Sequence, residues 1–137
     1  MTNGDIKSAL DALTELCGPT NRLPVLDSIE ATRSYTAFND AWAPSEAERL
    51  KLVEEHGTKG KEGVSVKGKA LGPFLQAWSV VMSGECDTPT FKAIPIASIE
   101  QGHAKDTETG KKIPLDVSPA ALMVLMELGL IDDGQNK

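Results

Sequence analysis

The sequence predicts a mainly α-helical fold, with α+β as the neighbouring alternative: about five helices and a small β-ribbon in the region 91 to 117. Three observations carry this. Apolar residues recur at three- and four-residue steps in successive segments. Capping residues, glycines and prolines punctuate those segments. Short extended runs containing proline cluster between Glu85 and Val117. A chain of 137 residues, 40% apolar and 25% charged, matches an ordinary globular protein, so one domain over 1–137 is expected and disordered or fibrous classes are excluded.

Asn3 or Asp5 can cap a first helix, in which Ile6, Leu10, Leu13 and Leu16 or Cys17 form a stripe that Gly18 and Pro19 end. Asp27 opens a second, with Glu30 three residues on as its capping-box partner and a weaker stripe through Ile29, Tyr35, Phe38 and Trp42. Ala43-Pro44-Ser45 reads as a break and restart. A third helix then runs from Glu46 to His56, with Ala47, Leu50 and Val53 facing the core and Gly57 closing it. Residues 57–70 carry glycines, lysines and little apolar mass, which predicts a flexible loop or short ribbon. Leu71, Phe74 or Leu75, Trp78, Val81 and Met82 restore a helical period before Gly84, and this helix is expected to be buried. Phe91–Ile96 and Lys111–Val117 are expected as the arms of a hairpin about a polar turn at Asp106–Gly110. Their prolines restrict them to short edge strands. Ser118-Pro119 opens the last helix, Gly129 ends it, and the polar tail 132–137 is expected to fray.

Fourteen basic against twenty acidic residues leave a formal charge of -6, so the molecule as a whole is not drawn to phosphate or to anionic membrane. The exception is local. Lys59, Lys61, Lys67 and Lys69 stand against Glu62 alone, a charge of +3 among permissive glycines. No GxxxxGK[ST] or GxGxxG string is present and no aromatic residue is interleaved for base stacking, so a solvated loop is the favoured reading. Phosphate or nucleic-acid contact through these four lysines is the alternative.

Cys17 and Cys86 lack metal-ligand spacing and are expected as reduced, packed thiols. Neither a metal nor a cofactor is expected. Glu54-Glu55-His56 reads as a solvated face, because neighbouring helical side chains diverge by about 100°. A small enzyme using His103 or Cys86 is a third reading, with no flanking pattern to orient either residue. Met1–Asp5 shows no basic region leading into an apolar run, so a cytoplasmic location is expected. The longest apolar run, Ala120–Met126, is too short to span a bilayer, so no membrane partner is expected.

That same run is the strongest clue to function. Seven consecutive apolar residues give a helix an apolar perimeter, whereas covering one side of a core needs only a stripe. The helix is then either central to the core or a contact with another protein chain. Leu122, Met123, Leu125 and Met126 are the candidate contact residues, with the thioethers suited to adaptable packing. The leading expectation is a non-catalytic protein-interaction or assembly subunit that binds a protein partner or self-associates.

Overall fold

Helical periodicity and caps produce five α-helices among the described residues, 1–60 and 63–134, of the computed structural model. The order is α1 (Asn3–Leu16), β1 (Asn21–Arg22), α2 (Val25–His56), β2 (Thr58–Gly60), β3 (Gly63–Ser65), α3 (Leu71–Ser83), β4 (Ile94–Pro95), α4 (Ile96–Gln101), β5 (His103–Lys105), β6 (Lys112–Ile113), α5 (Pro119–Glu127) and β7 (Ile131–Asp132). A 3-10 turn, Gly68–Ala70, leads into α3. The fold is mainly α with some β. Its two compact units are Met1–Ile6 with Ala41–Thr88, and Lys7–Asp40 with Pro89–Lys137. No helix among the described residues is long and apolar enough to cross a membrane.

In the second unit, α1 buries Ala9, Leu10, Ala12, Leu13 and Leu16. Ala31 and Phe38 of α2, Ile94, Ala104, Ala121, Leu125, Leu130 and Ile131 are also buried there. Phe38 lies 5.8 Å, centroid to centroid, from Phe91. Strands β1, β5 and β6 form an antiparallel sheet in that order, with Asn21 opposite Ala104 and Ala104 opposite Ile113. Strand β4 instead pairs in parallel with β7, Ile94 opposite Ile131.

In the first unit, Thr2 caps α1: its hydroxyl accepts from Asp5 N at 3.1 Å, and Asp5 Oδ2 accepts from Thr2 N at 3.0 Å. The amide of Asn3 donates to Val81 O at 2.8 Å and its backbone N to Gly84 O at 2.8 Å, which ties the start of α1 to the end of α3. Trp42 and Trp78 meet edge to face at 5.9 Å. Strands β2 and β3 form an antiparallel hairpin, Thr58 opposite Ser65.

Several expectations are corrected. The expected second and third helices are one. Pro44 lies inside α2, where it and Asp40, whose carbonyl loses its helical partner, are both exposed residues. The buried residues of α2 are Ala31, Ser34 and Phe38 in the second unit and Trp42 and Ser45 in the first, and Ala47 and Leu50 are exposed rather than in the core. Asp27 sits within the first turn and accepts from Ser98 Oγ at 2.5 Å, while Glu30 pairs with Arg33. The hairpin about Asp106–Gly110 forms, but its upstream arm is His103–Lys105, because Ile94–Pro95 is engaged by β7 and Ile96–Gln101 is helical. Cys17 is exposed rather than packed. Finally, α3 contains no buried residue.

Candidate interaction surface

Local chemistry fixes α5 at both ends. Ser118 accepts from Ala121 N at 3.2 Å, and Pro119 occupies the first turn, where its missing N–H costs nothing. Glu15, at the end of α1, accepts from Ser118 N at 3.0 Å and from Ser118 Oγ at 3.2 Å. Asn21 adds a second tie. Its Nδ2 donates to the carbonyls of Glu15 and Asp116, and its Oδ1 accepts from Asp116 N at 2.8 Å. At the other end Gly129 adopts φ +82°, a left-handed conformation open to glycine, and the helix closes with Gly129 N donating to Met126 O and Leu130 N to Leu125 O. Leu125 and Leu130, the two residues joined by that last bond, are both buried.

The pinned helix turns Ala121 and Leu125 inward and half-buries Leu122. Leu125 is wholly enclosed, so of the four candidate contact residues it belongs to the core. Met123 is 60% exposed and Met126 37%, and spacing of three places them side by side. Beside α5, a groove of about 240 Å³ is lined by Ser8, Asp11, Ala12 and Glu15 of α1 and by Ala120 and Val124.

The remaining candidates do not converge. Lys59 lies on β2 opposite Val64; Lys67 and Lys69 are exposed on either side of Gly68. Lys61 lies outside the described residues. His103 is half-buried on β5 opposite Arg22, and His56 stacks edge-on against Phe74 at 6.3 Å. Cys86 is half-buried, and its thiol approaches Met1 O at 3.6 Å. Cys17 borders a recess of about 70 Å³ with Leu16, Leu23 and Ala31; desolvation there pushes its thiol above the usual range, away from the reactive thiolate. A cleft of about 380 Å³ beside the sheet is lined by Lys105, Asp106, Thr107 and Asp116, among others, and by no histidine or cysteine. Asp106 is occupied in the turn, where the backbone N–H groups of Glu108 and Thr109 hold its carboxyl below the usual range. Among the described residues no three His, Cys, Asp or Glu side chains are arranged to hold a metal ion.

Sequence reasoning missed the exposed aliphatic residues of the first unit, Leu71, Leu75 and Val80 on α3 and Leu50 on α2. A signal for α3 was present: no Asp, Glu, Lys, Arg or His occurs from Leu71 to Ser83. No family model, curated protein or solved structure matches the chain.

Proposed function

We propose that this chain is a non-catalytic protein-interaction or assembly subunit, and that the methionine face of α5 docks against another protein chain. One observation carries the reading: a helix with an apolar perimeter, rigidly capped at both ends, keeps Met123 and Met126 in solvent while Leu125 is sealed inside. Unbranched thioethers exposed on a fixed helix give a surface that adapts its shape to an apolar partner. A hydrophobic-to-charged change there removes the driving force for docking and leaves the core intact.

The test places a photoreactive benzoylphenylalanine in cells at Glu127, which is exposed and one turn on from Met123, with and without Met123→Glu and Met126→Glu. A discrete crosslink to another protein chain that the double substitution abolishes, with unaltered thermal unfolding, is the expected result. Crosslinking to solvent alone, or crosslinks of equal yield from an exposed position such as Thr36, would refute the docking role.

A further inference from the structure

In the second unit, we propose that the open face of the sheet formed by β1, β5 and β6 binds a small organic phosphate, held between Lys105 and Lys112 with its uncharged body in the adjoining cleft. Strand register assembles a cationic face from three separate segments. Arg22 lies opposite His103, and Lys105 opposite Lys112. Paired residues share a face, as do residues two apart on one strand, so all four side chains stand on the same side of the sheet. Asn21, Ala104 and Ile113 take the other side, and Ala104 is buried there, so the cationic side is the outer one. Arg22, Lys105 and Lys112 are exposed and His103 is half-buried.

The lysine pair is the centre of the site. Asp106 N donates to Lys111 O at 2.9 Å, so the adjacent pair Lys105 and Lys112 occupies a non-hydrogen-bonded position, with Cβ atoms roughly 4.5–5.5 Å apart. Like charges directly opposite destabilise a sheet. No carboxylate among the described residues pairs with either lysine, so the repulsion is unrelieved within the chain. A phosphate between the two ammonium groups removes that repulsion and accepts a charge-assisted hydrogen bond from each. Arg22 and His103 lie one two-residue step along the strands, about 7 Å away. The Arg22 guanidinium is ordered there by Nη1, which donates to the carbonyls of Pro19 at 2.7 Å and Asn21 at 2.9 Å.

The cleft selects the ligand class. Lys105 also lines the cleft of about 380 Å³, together with Thr20, Thr107, Leu115, Asp106 and Asp116. Two hydroxyls and the Asp116 carboxylate can exchange hydrogen bonds with a hydroxylated body, while Asp116 repels a second phosphate. The Asp106 carboxylate is turned into its own backbone, accepting from Glu108 N at 2.8 Å. No aromatic ring lines the cleft, so a nucleic-acid base has nothing to stack on. An extended polyanion would also run from the four cationic residues onto a molecule with a net charge of -6. A compact monophosphate escapes that penalty, because its charge rests on the lysine pair and its remainder lies among hydrogen-bonding groups.

The test titrates the full ¹⁵N-labelled chain with ribose 5-phosphate, inorganic phosphate, ribose and a single-stranded oligothymidylate, following amide resonances. Ribose 5-phosphate should give saturable shifts at His103, Lys105, Thr107 and Lys112, inorganic phosphate should bind about tenfold more weakly, and ribose should give none. Lys105→Gln with Lys112→Gln should weaken ribose 5-phosphate binding by about tenfold or more. The same double variant should unfold at no lower temperature than the parent, since it also removes the like-charge pair. Lys111→Gln, whose side chain alternates to the other face, should leave binding unchanged. Met123→Glu with Met126→Glu should also leave it unchanged, so this inference and the α5 reading fail separately. No saturable response to ribose 5-phosphate up to about 20 mM would overturn the proposal, as would equal weakening by Lys111→Gln. Tighter binding of the oligothymidylate at the same amides would assign the face to a polyanion and overturn it equally.

Discussion

The two units divide the apolar residues of the chain unequally. Thirteen of the fifteen buried hydrophobic residues among those described belong to Lys7–Asp40 with Pro89–Lys137, and two to Met1–Ile6 with Ala41–Thr88. The cause lies in local composition. In the second unit α1 supplies an aliphatic or alanine side chain at nearly every inward step, and the short strands bury Ile94, Ala104 and Ile131. In the first unit the hairpin region contributes lysines and glycines, so the inward arc of α3 meets ring edges rather than a layered core. Apolar content alone therefore does not decide burial. It requires a second apolar surface of matching size, which the second unit contains and the first does not.

The largest effect that sharpens this contrast is in the core. Leu13→Ala or Phe38→Ala should cost about 2–5 kcal/mol in urea denaturation, because each leaves a cavity among enclosed neighbours. Trp78→Ala, in the half-buried arc of α3, should cost less, roughly 1–2 kcal/mol, since part of the side chain is exposed before the change. Equal losses would erase the distinction between the units.

A smaller effect is expected at Asn21. Its side chain joins the end of α1 to the segment between β6 and α5, and Asn21→Ala removes donors to Glu15 O and Asp116 O together with the acceptor for Asp116 N. About 1–3 kcal/mol should be lost, with the amides of α5 exchanging faster and those of α3 unchanged. A uniform acceleration of exchange would show that the two units open as one.

The smallest concerns the turn at Asp106. Its folded carboxyl is held below the ordinary value by the N–H groups of Glu108 and Thr109, so its contribution is present above the ordinary carboxylate pKa and lost as the pH falls through the lowered folded value. Amide resonances of Glu108 and Thr109 should shift together on acidification and follow the side chain of Asp106. Asp106→Asn should flatten that response. A titration midpoint at the ordinary carboxylate value would remove the turn's electrostatic contribution.

Periodicity and capping made most helices legible. Ser118-Pro119 and Gly129 marked both ends of α5, and the Ile6–Leu16 stripe marked α1, because caps and stripes are short-range properties encoded within one or two turns. The continuity of α2 through Pro44 was not legible, since a proline ends or kinks a helix according to whether water or another group takes up the freed carbonyl. The strand pairing was likewise hidden: Ile94 had equal local reason to pair within a hairpin, and only the return of the chain at Ile131 selected the parallel partner.

The sequence by itself determined the bounds of α1, α3 and α5, which stretch is cationic, and that α3 is without charge and α5 apolar from Ala120 to Met126. Tertiary structure alone decided which side of each helix is enclosed, sealing Leu125 and leaving Met123, Leu75 and Val80 in water. The physical reason is range. Propensity and capping act between residues a turn apart, whereas burial depends on whether segments remote in the chain bring enough apolar surface to the same place.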